Sequence, residues 1–412
     1  MNPLNSLNPL NPLNPLNPLN PLNPYYVDLH IHIGRTERGN AVKISAASNL
    51  TFFNIAKEAS ERKGIEMIGI IDCHSPSVQE EIMHYLDRGD MVELEGGGIR
   101  YHNTTILLGS EIEVRDPGMG PAHLLAYMPD LKTMQDFTCW MTKHMKNVEL
   151  SSQRIYVPAS ALQEEVLGRG GILIPAHIFT PHKSVYGSTD RMEHLLNLDG
   201  IAAVELGLSS DSEMAGTISE LDRYTFVTNS DAHSLGKIGR EYNIMTLAEA
   251  NFAELVKALQ RKEGRMVSAN YGLNPRLGKY HRTYCGQCES IVDERETSIE
   301  RCLYCGSSKI IKGVMDRIQS LSDREEPFFP SYRPPYHFQV PLEFIPGLGP
   351  KKIDLLLARF GTEMNILHSV GFEQLAAVLG IELADYIVQA REGRLDLEVG
   401  GGGRYGRILR KN

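Results

Sequence analysis

Between Tyr25 and about residue 272, short β-rich apolar runs alternate with stretches of helical spacing, and this alternation limits the fold more than any other feature of the chain. The apolar runs are Tyr25 to Ile33, Met67 to Ile71, Thr105 to Leu108, Ile172 to Pro175, Ala202 to Leu206 and Thr225 to Thr228. Helical spacing occupies Asn49 to Lys63 (capped near Ser48), Asp136 to Lys146, Ser160 to Leu167, Arg191 to Leu196 and Asn251 to Lys262. Strand–helix repetition on this scale predicts an α/β domain of parallel strands closed into a distorted barrel. Such folds place their chemistry in the loops that leave the strands.

The rest of the chain divides by composition. Residues 1–24 repeat Asn-Pro-Leu, and proline at about every third position blocks helix and ladder hydrogen bonds, so a disordered or polyproline-like leader is expected. Residues 25–272 form the expected catalytic domain, 273–315 a small cysteine-paired module, 316–340 a Pro-, acid- and aromatic-rich linker, 341–400 a helical domain and 401–412 a basic tail. A chain of 412 residues is too long for one core. Hydrophobic residues make up 42% and charged residues 23%, and no run reaches the ~18–20 apolar residues of a membrane span, so a cytoplasmic protein is expected. The net charge of −9 is uneven: residues 1–272 carry 23 Lys and Arg against 33 Asp and Glu, residues 273–412 carry 19 against 18. The second part is therefore the better candidate to meet a polyanion.

Asp28-Leu29-His30-Ile31-His32 lies on the first strand, where the two-residue period puts Asp28, His30 and His32 on one face. Two imidazoles so spaced can share a cation. Asp72 and His74, Glu111, His123, His177, and Asp231 with His233 follow at later strand ends or openings. A single strand-end histidine is more often a hydrogen-bonded core residue, but this many in step point to a metal centre. Lys43, Arg35 and Lys183 are candidates to hold a phosphate.

Cys285-Gly-Gln-Cys288 and Cys302-Leu-Tyr-Cys305 have the spacing of two zinc knuckles, which predicts one structural zinc bound by four thiolates. Further on, Phe344-Ile-Pro-Gly347-Leu-Gly349-Pro-Lys351-Lys352 resembles the hairpin of a helix–hairpin–helix motif. The backbone N–H groups of Gly347 and Gly349, together with Lys351 and Lys352, suit a DNA phosphate without reading bases.

The set His30/His32, Glu111, His123, His177 and Asp231/His233 resembles the polymerase-and-histidinol-phosphatase (PHP) superfamily. That resemblance implies a PHP-type barrel holding two or three divalent metals (zinc, manganese or magnesium) for phosphoester hydrolysis. His30, His32, Glu111, Asp231 and Lys43 are then the catalytic candidates, and Asp72 or His74 joins the metal ligands. Two positions depart from the pattern: Asp72-Cys73-His74 separates an expected adjacent pair, and Thr36-Glu37 stands where a Ser-Asp pair is usual. A PHP domain, a four-cysteine module and a hairpin motif in this order, with the run Asn274-Pro-Arg-Leu-Gly-Lys-Tyr-His281 leading into the first cysteine pair, look like the endonuclease Q family over roughly residues 25–400.

Membership would imply repair endonuclease activity that nicks DNA 5′ to uracil, hypoxanthine, xanthine or an abasic site, leaving 3′-hydroxyl and 5′-phosphate. Phe179, His182 and Tyr186 are candidates to line a base pocket, with Ser209, Ser210 and Glu205 to bond a base edge. DNA is the expected partner, and a sliding clamp a further one, although no terminal clamp-binding peptide stands out. A histidinol-phosphate-like small-molecule phosphatase, a non-specific PHP nuclease and a DNA-binding scaffold with a decayed metal site are the alternatives.

Overall fold

The computed structural model describes residues 21–292, 300–400 and 404–409. Of the leader expected to be disordered over 1–24, residues 1–20 lie outside them, whereas Asn23 and Pro24 already belong to the first strand. Strands β1 (Asn23–Ile31), β2 (Met67–Ile70), β3 (Val92–Glu93), β4 (Ile99–Tyr101), β5 (Thr104–Val114), β6 (Ala122–Met128) and β7 (Ile172–Pro175) belong to one mixed sheet. A two-stranded parallel pair, β8 (Val204–Glu205) with β9 (Phe226–Val227), follows, and β10 (Tyr242–Leu247) and β11 (Met266–Gly272) return to the main sheet beside β1. Among the described residues, no helix is long and apolar enough to cross a membrane.

Among the strands of residues 25–272, the expectation of all-parallel strands holds for β1, β2 and β5 and for the β8–β9 pair. The pairs β5–β6, β6–β7, β1–β10 and β10–β11 are antiparallel. For β5–β6 the reason lies in the connection: the seven-residue link 115–121 can turn a hairpin but is too short for the crossover a parallel pair requires. The barrel is closed by sparse contacts. Ala202 N–H donates to Leu173 O (3.0 Å), linking β7 to β8. Beyond β9, Ala232 forms a parallel bridge with Ile31 through His32 N–H to Ala232 O and Ala232 N–H to His30 O, both 3.1 Å.

Capping chemistry fixes the helices. Helix α1 (Phe52–Lys57) continues as a π turn to Lys63 and starts at Thr51, whose hydroxyl accepts Asn54 N–H. Helix α2 spans Pro76–Asp87. Helix α3 (Leu131–Met141) starts five residues before the expected one, because Asp130 caps it and Leu131, Met134, Thr138 and Met141 form its buried stripe. Helix α4 (Ala159–Gly168) and helix α5 (Val185–Ser188) follow, but the expected helix at 191–196 shrinks to a 3-10 turn at Met192–His194, whose first N–H is taken by the Glu220 carboxylate. Helix α6 is Ser212–Ala215, and α7 (Phe252–Leu259) is capped by Asn251.

The stretch expected as a linker is structured instead. It begins within helix α8 (Val314–Leu321) and ends in a strand, Tyr336–Phe338, that adds to β11 in parallel. Helices α9 (Pro350–Phe360), α10 (Glu363–His368), α11 (Phe372–Leu379) and α12 (Ile381–Arg391) pack against the barrel flank. The buried pair Lys63 Nζ–Glu363 Oε1 (2.9 Å) ties α10 to the π turn, and the same ammonium donates to Gly236 O (2.9 Å).

Glu241, fully buried beside β10, accepts from Thr228 Oγ1 and from Leu273 N–H (2.9 Å), and burial pushes its carboxyl up to about 8. The folded chain therefore keeps a proton that the unfolded chain releases near pH 4.3, and its stability falls as pH rises between those values. Glu241→Gln is expected to flatten this loss, gaining on the order of 3 kcal/mol at most over the wild type between pH 5 and 8 in urea melts. An unchanged pH slope would show that Glu241 is ionised in the folded chain.

Candidate metal centre

Three strands of the barrel and two of its loops converge on one point. His30 and His32 stand at the end of β1, Glu111 in β5 and His123 at the start of β6, while His177, Asp231 and His233 lie in the loops after β7 and β9. The Ile31–Ala232 bridge brings the last loop against β1. The result is three overlapping triads: His30, His32 and Glu111; His32, Asp231 and His233; Glu111, His123 and His177. His32 and Glu111 are each shared by two of them. His177 and Asp231 sit at φ of 30° and 45°, a left-handed conformation that costs non-glycine residues energy and clusters at functional sites.

The donor set fits divalent cations. His30 Nε2 lies 3.6 Å from Glu111 Oε1 and 3.5 Å from Asp231 Oδ1, and His32 Nε2 lies 3.6 Å from Glu111 Oε2 and 3.5 Å from the same Asp231 oxygen. Ligand atoms on a shared ion at ~2.1 Å are separated by ~3.0–3.5 Å, so these gaps are close to coordination-polyhedron edges. His30 Nε2 and His123 Nε2 are buried without a hydrogen-bond partner, a costly state unless a cation takes the lone pair. Burial opposes charging His30, but the Glu205, Asp231 and Glu111 carboxylates outweigh it and raise the imidazole to about 10, a sign of surplus negative charge in the cluster. Glu111 itself stays ionised: against the cost of burial, His123 and Lys43 hold it well below the usual carboxylate range.

Around the triads, the structure assigns different tasks from several expected ones. Asp72 accepts His32 Nδ1 (3.2 Å) and Ile33 N–H (2.7 Å) from behind, and His74 turns Nε2 toward Leu150 O (3.4 Å), so neither joins a triad. Glu205, expected at a base edge, is buried. It accepts His30 Nδ1 at 3.0 Å, His177 N–H at 2.8 Å and Asn229 Nδ2 at 2.7 Å, which fixes the His30 tautomer with Nε2 facing the cluster. Glu205→Gln is expected to weaken metal binding ~10–100-fold, measured by chelator competition; an unchanged affinity would leave Glu205 only a packing role.

Phe179 and Tyr186 cannot line a base pocket. Both are buried and stacked on each other at 5.3 Å, with the Tyr186 hydroxyl given to Glu220. His182 does reach the cavity, as do Lys43, Lys183 and Ser209, whereas the Ser210 hydroxyl donates to Leu206 O. Lys43 Nζ is 3.3 Å from Glu111 Oε2, and Lys183 Nζ is 2.9 Å from Glu113 Oε2. His123, whose Nε2 lies 3.8 Å from Glu113 Oε2, and Lys183 together hold the half-buried Glu113 carboxyl down to about 2. The cavity, about 240 Å³, also takes in Lys279, Tyr280 and Tyr405, which the sequence did not mark as site residues. The run at 274–281 and the glycines before Tyr405 were the only sequence signals near them.

The four cysteines form a second centre. Cys285, Cys288, Cys302 and Cys305 bring their sulfurs together, with Cys285–Cys305 and Cys288–Cys302 separations of 3.6 Å. Sulfurs on one tetrahedral zinc lie ~3.8 Å apart, and bonded sulfurs ~2.05 Å, so the arrangement fits zinc and excludes disulfides. Gln287 N–H and Tyr304 N–H each point at a cysteine sulfur from two residues on (3.4 Å). At the hairpin, Gly347 takes φ of 82°, Gly349 caps α9, and Lys351 and Lys352 are exposed, with Lys352 Nζ donating to Gly347 O (3.1 Å).

Residues 211–263, which include Asp231 and His233, match the model of a PHP-associated domain. The barrel with its triads is thus of PHP type. The protein YqxK of Bacillus subtilis is 51% identical over 386 residues, 93% of this chain and 98% of that protein. The crystal structure of the lesion-specific endonuclease PfuEndoQ from Pyrococcus furiosus superposes with a TM-score of 0.79 at 31% identity, covering 93% of this chain and 95% of that one. An endonuclease Q complex with a 27-mer duplex bearing an abasic lesion at its active site gives 0.80 at 30% identity over 93% and 96%. The chain belongs to the endonuclease Q family.

Proposed function

We propose that this chain is a metal-dependent DNA repair endonuclease that hydrolyses the phosphodiester 5′ to an abasic or deaminated nucleotide, with uracil, hypoxanthine and xanthine as the deaminated bases. The observation that carries the reading is the triad cluster at the floor of a rimmed cavity, in a chain that matches a lesion-specific endonuclease along nearly its whole length.

His30, His32, Glu111, His123, His177, Asp231 and His233 would hold two or three cations, which supply a low-pKa water and offset charge on the phosphate. The chain's own groups do the rest. Glu205 and Asp72 hold the two β1 imidazoles in one tautomer. His233 Nδ1 donates to Asp231 O (2.9 Å), which leaves Nε2 for the cluster. Lys43 Nζ, steadied by Ser152 Oγ and Glu111, can donate to a non-bridging phosphate oxygen. Gly347, Gly349, Lys351 and Lys352 would meet the duplex backbone away from the cut. A damaged nucleotide enters by leaving the stack, at least cost where pairing is already weak.

The test is nicking of 5′-labelled duplexes that carry one uracil, one hypoxanthine, one abasic site or no lesion, with manganese or magnesium and Asp231→Ala as control. A single nick 5′ to the lesion, lost in the variant, is expected. Uniform degradation of every duplex would make the chain a general nuclease. Turnover of a phosphomonoester without nicking would make it a phosphatase.

A further inference from the structure

The end of the chain delivers an aromatic ring to the cavity mouth. Leu397–Glu398 pairs antiparallel with Arg407–Ile408, and this ribbon lies on the run 274–281 through Gly400 N–H to Arg276 O (2.6 Å) and Gly406 N–H to Leu277 O (2.9 Å). Only glycine permits that approach at 406, where a Cβ would stand 2.2 Å from Glu398 O and 3.1 Å from Leu277 Cα. Next to it is Tyr405, 40% exposed and lining the cavity with His177, Asp231 and His233.

The Tyr405 ring is held at its hydroxyl and stays 40% exposed, with the Arg240 guanidinium carbon 5.7 Å from its centroid. Its hydroxyl accepts from Arg240 Nη1 (3.3 Å), and Arg240 is itself bound through Nε to Ser230 O (2.7 Å) and through Nη2 to Asp231 O (3.3 Å). The ring is therefore positioned relative to the loop that carries a triad residue. Lys279 Nζ lies 5.8 Å from the Tyr405 ring and 4.9 Å from the Tyr280 ring, so an ammonium stands between two aromatics on the rim. An exposed aromatic fixed at its polar tip, beside a cation and above a cavity, matches the stacking platforms that hold single-stranded bases.

We propose that Tyr405 is a specificity-determining residue that stacks on the base of the nucleotide drawn into the cavity, with Lys279 holding the adjoining phosphate. This rests on the reading of the chain as a lesion-directed DNA endonuclease. It makes a demand that reading does not: the tail should favour lesions that still carry a base over abasic sites, which offer nothing to stack.

The experiment compares kcat/KM on hypoxanthine and abasic duplexes for the wild type, Tyr405→Phe and Tyr405→Ala. Tyr405→Ala should lower the hypoxanthine-to-abasic ratio about tenfold, mainly through KM on the hypoxanthine duplex. Tyr405→Phe, which keeps the ring and loses the bond to Arg240, should restore most of that ratio. Equal losses on both duplexes would mean a merely structural tail, and unchanged ratios would remove Tyr405 from recognition; either overturns the proposal. A wild type that nicks neither duplex would fell the endonuclease reading first, and this inference with it.

Discussion

Replacing Glu111 with Gln is expected to cut phosphodiester hydrolysis roughly 10³-fold while the chain remains folded. Glu111 belongs to two triads at once, and each of its oxygens faces a β1 imidazole at 3.6 Å. The amide keeps the shape but removes one negative charge and turns an acceptor into a donor aimed at the cluster. Metal content per chain, measured by elemental analysis, should fall together with activity, whereas Glu205→Gln should lower affinity without emptying the cluster at saturating metal. Full metal occupancy and normal turnover in Glu111→Gln would show that the triads do not work as a unit.

Cys302→Ser carries the second large effect, on stability. The cysteine module has almost no core of its own: among the described residues its buried apolar cluster is Cys285, Val292 and Cys302, with Cys288 and Ile310 packed against it. So small a cluster cannot offset the entropy of ordering the surrounding chain, and the thiolate–metal bonds must supply the difference. Structural zinc contributes about 10–16 kcal/mol in isolated fingers, so removing one ligand should unfold the module outright. Limited proteolysis should then cut between residues 282 and 312, with one metal lost per chain and the barrel intact. Wild-type protease resistance in the variant would mean that bonds to helix α8, such as Thr283 N–H to Asp316 Oδ2 (2.9 Å), hold the module without metal.

Strands β1, β2, β5, β7, β8 and β9 and the triad residues were legible because they leave marks together: apolar runs of strand length, each ending in a histidine or carboxylate. Strands β10 and β11, which end in no such residue, were not read. The four cysteines were legible from spacing. Strand direction was not, since an apolar run reads the same whether its neighbour is parallel or antiparallel, and only the 115–121 link carried a hint. Nor could the sequence separate residues that face the cluster from those that brace it. Glu205 and Asp72 are carboxylates at strand ends like Glu111, and only their backing positions against His30 and His32 set them apart. Phe179 and Tyr186 misled for a related reason: closeness to His177 in sequence says nothing about which side of the loop faces the core. Tyr405, more than 120 residues from the nearest other rim residue, Tyr280, had only the glycines before it as a local signal.

The bridge between Ile31 and Ala232 has a mechanical consequence. It is the seam of the barrel, sewn by two backbone bonds, and His30 and His32 stand on one lip while Asp231 and His233 stand on the other. A cation held by His32, Asp231 and His233 is a rivet through both lips, so loading the cluster should close the barrel as well as arm it. The chain stripped of metal should therefore part first along this seam, with amide exchange at His32 and Ala232 rising well before exchange in β2 and β5.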